Sequence, residues 1–132
     1  MARPDIVDIM RSLEPQVRQG EVVFAIGDGL PPEVEVLASV REPEGLSVVM
    51  SRAEADARGI SYDFVGAWIT LSVDSALDLV GLTAAVSGAL ANASIPCNVI
   101  AGLRHDHLVV PVHRADDALT ILRRLAAQPR RR

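Results

Sequence analysis

Three histidines and a single cysteine are the residues of this chain best suited to chemistry. His105 and His107 flank Asp106, and His113 follows in the same segment. Imidazole and carboxylate groups suit zinc or nickel, so a metal site is one hypothesis. An extended strand from His107 to His113 would span roughly 20 Å, too far for one metal ion within a single chain. We therefore predict no metal site, and we place His105-Asp106-His107 at a hairpin turn, where the aspartate bonds the local backbone.

Cys97 is the only cysteine, so no internal disulfide can form and the sequence suits a reducing compartment. A catalytic thiol would need His105 or His107 as its base. Cys97 instead lies in a predicted buried strand, where a free cysteine usually behaves as a small apolar residue. No Ser-His-Asp spacing or pair of carboxylates stands out. The sequence therefore predicts neither an enzyme nor a cofactor.

Charge and composition narrow the range of partners. The 132 residues carry a net charge of −4, and only 3% are aromatic. A nucleic-acid partner favours a basic face, and single strands favour aromatic stacking platforms. We predict no nucleic-acid partner.

Two stretches bear on membranes. Four charged residues within the first eleven positions leave no apolar segment for a signal peptide. Residues 79–103 carry no charge, but Pro96 would break a spanning helix there. A helix that leads into a buried strand fits this stretch better. We expect a cytoplasmic protein with no membrane partner.

The second half of the chain alternates strand and helix signals. The predicted elements are a strand at Trp68–Val73, a helix carrying Leu79, Leu82, Val86 and Leu90, a strand at Ile95–Ala101, a turn at Arg104–Asp106, a strand at Leu108–Val112 and a helix beginning near Asp116. This β-α-β-β-α order lacks the last strand of the β-α-β-β-α-β ferredoxin-like pattern. The missing edge strand must come from the first half.

The first half offers strands for that purpose. Its predicted elements are a helix at Ile6–Val17, strands at Glu21–Ile26 and Val34–Val40, a turn at Arg41–Gly45, a strand at Leu46–Met50 and a short helix in which Ser51 and Glu54 form a capping box. The two halves together predict an α+β fold. We expect one continuous or two adjoining antiparallel sheets, with helices packed on one face, divided into halves at 1–60 and 61–132.

Several strings resemble the ACT domain, a regulatory module. Asp78–Val86 (DLVGLTAAV) and Leu90–Ile95 (LANASI) resemble its opening, in which an aspartate three residues before a glycine starts a helix. REPEGLSV at Arg41–Val48, WITLSV at Trp68–Val73 and NVIAGLRHDHLVVP at Asn98–Pro111 are similar to a small bacterial family of paired ACT-type domains. The resemblance spans nearly the whole chain and implies two ferredoxin-like ACT halves.

The resemblance also implies a function and a site. ACT domains commonly bind amino acids between two such units, usually without catalysis, at the loop before the first helix and along the second strand. Carried onto this chain, the loop is Asp78–Thr83 and the strand is Cys97–Ala101. The predicted ligand-binding residues are Asp78, Val80, Gly81, Leu82, Thr83, Asn98, Val99, Ile100, His105 and His107. We expect a non-catalytic, amino-acid-binding regulatory or sensing protein that forms a homodimer.

Elementary chemistry supports the same location. A helix N-terminus offers unpaired N–H groups and partial positive charge to a carboxylate. Gly81 lets a ligand approach the backbone closely, and Asp78 or Asp74 could accept an ammonium group. The structural alternative is that Gly81 permits close helix–strand packing and the aspartate caps the helix. Asn98, likewise, either faces the ligand or bonds a neighbouring loop.

A second function stays open from the sequence. Strands at the edge of a sheet can pair with another chain. The protein could therefore be an interaction or dimerisation module that binds no small ligand.

Overall fold

The computed structural model describes residues 13–72 and 80–127. Within those ranges the strands are β1 (Pro15–Val17), β2 (Val22–Ile26), β3 (Ala38–Glu42), β4 (Gly45–Ser51), β5 (Val65–Leu71), β6 (Asn98–Ala101) and β7 (Asp106–Pro111). The α-helices are α1 (Arg52–Ala57), α2 (Leu82–Asn92) and α3 (Ala115–Ala126), and a 3-10 turn at Val112–Arg114 precedes α3.

All strands join one antiparallel sheet in the order β3-β4-β2-β5-β7-β6. β1 pairs with β5 beside β2, since Pro15 lies opposite Leu71 and Val22 lies opposite Gly66. β1 is therefore the fourth strand that the β5-α2-β6-β7-α3 unit lacks by itself. The prediction that the first half supplies this edge is confirmed, and β5 pairs with strands of both halves.

The helices cover one face of the sheet, as predicted. Ile69 and Leu108 pack there against Leu90 of α2 and Leu122 of α3. Further along the same face, Met50 packs in a cluster with Ala55 of α1 and with the partly buried Val65. Val65 and Ile69 share a face because side chains of a strand alternate. Each fully buried leucine contributes about 1.5–3 kcal/mol to stability.

The opposite face carries no helix among the described residues, and it has its own apolar cluster. Val22, Val49, Trp68 and Val109 are buried there. Partly buried side chains from the outer strands, among them Ile100 of β6, pack against them. Residues of β3 and β6, at the two ends of the strand order, line one pocket on this face, which indicates that the sheet is curled.

One predicted helix is wrong over the part of it that the structure describes. Residues 15–17 of the predicted Ile6–Val17 helix form strand β1, and Ile6–Ser12 lie outside the described residues. Pro15 has no N–H to give to a helix, and pairing with β5 provides Gln16 and Val17 with backbone partners. Propensity within one segment did not reveal this pairing.

Several other boundaries shift by a few residues. β3 starts at Ala38 rather than Val34, because Val34 lies in a turn, where its N–H donates to Pro31 O at 3.1 Å. β6 starts at Asn98 rather than Ile95, after a left-handed residue at Ser94 with φ 57°. β5 starts at Val65 and ends at Leu71.

The hairpins are tighter than predicted. Gly102 N donates to His105 O at 2.9 Å, so the β6–β7 turn contains only the two residues between them. Asp106 and His107 therefore belong to β7, and His105 flanks the turn that Leu103 and Arg104 form. In the first half, Glu42 already pairs with Gly45 across the β3–β4 turn. The predicted polar connections at Arg41–Gly45 and Arg104–Asp106 were too long because paired strands continue into them.

The start of α1 is confirmed. Ser51 Oγ accepts the N–H of Glu54 at 3.1 Å, which caps the helix. Arg52 then ties the helix to Glu21, the residue before β2, at 2.9 Å and to the following loop through Tyr62. These two hydrogen bonds raise the pKa of Arg52 above its ordinary value. α1 is therefore held by short polar contacts at its first turn.

In the part of the chain that the structure describes, no helix is long and apolar enough to cross a membrane.

Candidate functional site

The first candidate is the start of α2. Gly81 occupies the N-cap with φ 104° and ψ −19°, and no side chain in the described ranges caps this helix. The first helical hydrogen bond runs from Ala85 N to Gly81 O at 2.9 Å. The N–H groups of the first turn therefore have no partner within the helix. With the helix dipole, they form a region of partial positive charge.

The predicted residues around this helix start differ in exposure. Val80 is 80% exposed, and Thr83 is also exposed. Leu82 is buried against the sheet, so its side chain anchors the helix, and only its backbone N–H remains available to a ligand. Asp78, like the alternative Asp74, lies outside the described residues.

The predicted residues of β6 and β7 divide between the two faces of the sheet. Val99 packs with the helix-covered core, whereas Ile100 packs with the cluster on the opposite face. Asn98 pairs with Val109 and Ile100 pairs with His107, so these side chains share the helix-free face. Asn98 is exposed, and water can satisfy its amide. One face of the sheet therefore collects Asn98, Ile100 and His107, and the other collects Val99 and Leu82.

The start of α2 and the β6–β7 turn nevertheless lie at the same end of the sheet. Thr70 pairs with His107 and Ala101 pairs with Asp106, so β5 and β6 finish at the same end. α2 connects the end of β5 to the start of β6 and must run back along the sheet. The start of α2 and the β6–β7 turn with His105 therefore lie at that shared end.

Sequence reasoning missed a polar contact beside His107. Trp68 Nε1 donates to Thr70 Oγ1 at 3.2 Å, and Thr70 Oγ1 lies 3.0 Å from His107 Nδ1. The indole and imidazole centroids are 5.0 Å apart. Because the indole can only donate, the threonine hydroxyl is free to donate to Nδ1 of a neutral imidazole. The spacing of two between Trp68 and Thr70, which puts both on one face, was the available signal.

The environment of His107 favours that neutral form. Partial burial lowers its pKa, the electrostatic effect of the neighbouring His105 lowers it further, and Asp106 opposes the shift. A neutral His107 can offer a hydrogen bond at physiological pH without adding charge to the helix-free face.

The other candidate groups are dispersed. Within residues 13–72 and 80–127, no three His, Cys, Asp or Glu side chains lie close enough together to hold a metal ion. His113 is exposed on the 3-10 turn before α3. Burial raises the pKa of Cys97, whereas an activated thiol requires a lowered pKa.

The second candidate is a cavity of about 370 Å³ on the helix-free face. The first half contributes Phe24, Ala38, Ser39, Val40, Ser47, Val48 and Val49, and β6 contributes Val99, Ile100 and Ala101. Sequence reasoning placed only Val99 and Ile100 in a site. No local signal identifies the first-half residues, because the cavity exists only where the curled sheet brings its two ends together.

Comparison with known proteins agrees with this architecture. Two ACT domain models match the chain in tandem, over residues 4–67 and 64–124. A crystal structure of a Vibrio cholerae protein of unknown function, a possible transport protein, is 36% identical. The match covers 92% of this chain and 95% of that one, with a TM-score of 0.81. The chain belongs to the ACT domain family.

Two solved structures of lower sequence identity share the fold alone. A protein from Agrobacterium tumefaciens is 16% identical over 86% of this chain and 89% of its own, with a TM-score of 0.65. The ligand-free regulatory subunit of aspartate kinase from Thermus thermophilus is 9% identical over 84% of this chain and 95% of its own, with a TM-score of 0.63. No curated protein sequence matches the chain.

These findings confirm the predicted family and fold class. ACT domains are regulatory modules that generally bind small molecules, and this ACT protein carries two of them in tandem. The boundary predicted at residue 60 and the predicted ligand-binding residues stay predictions.

Proposed function

We propose that this ACT protein is a non-catalytic sensor that binds an amino acid, or a similar zwitterion, at the start of α2. The observation that carries the proposal is the N-terminus of α2, which begins at a left-handed Gly81 and has no side-chain cap among the described residues. The regulatory nature of ACT domains supplies the functional context.

The chemistry of the helix start suits one end of a zwitterion. A carboxylate would accept the N–H groups of the first turn and interact favourably with the helix dipole. Asp78 or Asp74 would provide the negative charge for the ammonium group. At the same end of the sheet, the β6–β7 turn would enclose the ligand, with His105 and His107 at its border. Of the predicted β6 residues, Val99 would contact it on the helix-covered face, whereas the side chains of Asn98 and Ile100 lie on the other face.

The remaining parts of the proposal concern the setting of the protein. The raised pKa of Cys97 disfavours a thiolate nucleophile, which supports a role without catalysis. ACT domains commonly bind a ligand between two ACT units, and this chain carries two in tandem. We propose that the chain also forms a homodimer. We propose a cytoplasmic location, where free amino acids are available.

A thermal-shift screen of the twenty amino acids at about 10 mM tests the proposal, since a ligand that binds only the folded state raises its melting temperature. We expect at least one amino acid to do so, and isothermal titration calorimetry then measures its affinity. The absence of any shift across the whole set would contradict amino-acid sensing.

A pair of glycine variants locates the site. Gly81→Val places a side chain at the helix start and should abolish the shift. Gly59→Val is the matched control, because Gly59 is also left-handed, with φ 67°, but ends α1 instead. Both variants are strained, so a lost response in Gly81→Val alone assigns the ligand to the α2 start.

A further inference from the structure

The two outermost strands of the sheet border the same cavity. β3 and β6 stand at opposite ends of the strand order, yet Ser39 of β3 and Ile100 of β6 both line the 370 Å³ space. Within the described residues, the sheet is thus curled towards a barrel that stays open along one line. We call this opening between β3 and β6 the seam. Open strand edges are templates for pairing with another strand.

The edge of β6 directs backbone groups into the seam. Gly102 and His105 form a hydrogen-bonded pair at the β6–β7 turn. Hydrogen-bonded and non-hydrogen-bonded pairs alternate along an antiparallel ladder, so Val99 and Ala101 point their N–H and C=O groups away from β7. The side chain of Val99 packs on the helix-covered face. Val99 therefore lines the cavity through its backbone.

The edge of β3 has the matching arrangement. Gly27 N donates to Leu46 O at 2.6 Å, so the carbonyl of Leu46 faces β2. Leu46 pairs with Arg41, and that pair is consequently not hydrogen-bonded. By the same alternation, Ser39 directs its N–H and C=O outward. Ser39 pairs with the buried Val48, so its side chain lies on the helix-covered face and its backbone groups point towards the seam.

The side chains of the seam are uncharged. Phe24 and Ile100 are partly buried within the cavity, and Val40 is 62% exposed at its border. No lining residue carries a charge, so a charged group placed here would lose its hydration without gaining a counter-charge. The seam is complementary to a neutral, apolar occupant.

We propose that the seam binds a short, uncharged, extended peptide segment, which pairs with the outward backbone groups of β3 and β6. β6 has four residues, about 13 Å of strand, so the occupant would have roughly three to four residues. Strand addition gives affinity through main-chain hydrogen bonds and selectivity through side-chain pockets. A free zwitterion does not fit, because its charged ends find no partner there. The proposal is independent of the α2 start and gives a location to the edge-pairing alternative that the sequence left open.

The probe for this test is the neutral peptide N-acetyl-Val-Thr-Val-amide, titrated into the full chain by calorimetry. Hydrogen exchange measured by NMR reports the pairing. We expect saturable binding, with exchange slowed at the amides of Ser39, Val99 and Ala101. The same peptide methylated at the threonine nitrogen lacks one donor and should bind about tenfold more weakly. Free valine at equal concentration should leave these amides unchanged.

Two variants test the site from the protein side. Ser39→Pro removes the outward N–H without removing a ladder hydrogen bond and should weaken peptide binding about tenfold. Val40→Glu adds a charge at the border and should abolish binding. Leu103→Glu, in the β6–β7 turn and 77% exposed, is the control and should bind normally. Circular dichroism of each variant establishes that it is folded.

Three outcomes would overturn the proposal. One is the absence of binding at about 5 mM peptide, a concentration that reveals millimolar affinity. Another is binding without protection of the three amides, which would mean an occupant that does not pair. The third is slow exchange of these amides in the absence of peptide, lost when the protein is diluted. That result would mean that a second copy of the chain occupies the seam. None of these changes the response of the α2 start to free amino acids.

Discussion

The N-termini of α1 and α2 are held in place in opposite ways. Each helix follows a strand of one sheet, and each leaves N–H groups that need partners. In α1, Ser51 Oγ accepts the N–H of Glu54, and the ion pair of Arg52 with Glu21 fixes the position of the helix. α2 begins at Gly81 with no side-chain cap in the described ranges, and its first residue, Leu82, is anchored in the core instead. A helix held by its apolar side can leave its polar end open to a ligand.

The largest effect should come from removing the anchor of α2. Leu82→Ala should lower the free energy of unfolding by about 2–5 kcal/mol, because the lost side chain leaves a cavity against the sheet. Urea unfolding followed by the fluorescence of Trp68 measures the change. Thr83→Ala, at the exposed next position, should change stability by less than about 0.5 kcal/mol. Equal effects of the two variants would mean that α2 is not anchored through its first core residue.

The left-handed glycines come next. Gly81→Ala should cost about 1–2 kcal/mol, because a Cβ atom disfavours the left-handed conformation. Gly59→Ala, at the end of α1, should cost a similar amount, since nothing lies within 4 Å of its added Cβ and only the φ of 67° is strained. The two variants should differ in ligand binding, because only Gly81→Ala should reduce the thermal shift that an amino acid produces. A Gly81→Ala protein as stable as the parent would show that the left-handed conformation is not required.

The cap of α1 should be worth about 1 kcal/mol. Ser51→Ala removes the acceptor for Glu54 N and should lower the free energy of unfolding by that amount. Chemical denaturation checks the value, with Ser61→Ala, at an exposed position in the loop before β5, as the comparison. The amino-acid response should not change. A cap variant that lost this response would break the distinction between a structural and a ligand-binding helix start.

A stabilising change is expected inside α2. Gly88 lies in the helix with nothing within 4 Å of the position that a Cβ atom would occupy, so Gly88→Ala should gain about 0.5–1 kcal/mol from reduced backbone freedom. Thermal denaturation measures the gain. An unchanged ligand affinity would show that the rigidity of the helix body does not control its N-terminus. A loss of stability would indicate packing against this position that the fold does not show.

The smallest effect concerns pH. The folded state lowers the pKa of His107 from 6.5, so the unfolded chain binds its proton more readily. Stability should therefore fall as pH drops below about 6.5 and level off below the pKa of the folded state. Urea midpoints at several pH values should show this dependence reduced in His107→Phe and retained in the control His113→Phe. The opposite slope would mean that a charged His107 is stabilised.

Much of the fold was accessible from sequence because its signals are local. The alternation in WITLSV predicted the central strand, and Ser51 with Glu54 predicted the start of α1. The string around Gly81 predicted the ACT family, which the two tandem matches confirmed. The predicted helix at Ile6–Val17 was wrong over residues 15–17, because its apolar spacing says nothing about a strand partner as distant in sequence as Ile69–Leu71.

In the candidate sites, too, local features were predictable from sequence and long-range contacts were not. Neighbouring residues in the chain were enough to predict that a glycine would begin α2 and that β6 would be apolar. The assembled sheet was needed to establish that Ile100 and Val99 face opposite sides, that Thr70 contacts His107, and that β3 approaches β6 across the seam. These relations depend on pairing register and on the accumulated twist and curl of six strands, which no single segment encodes.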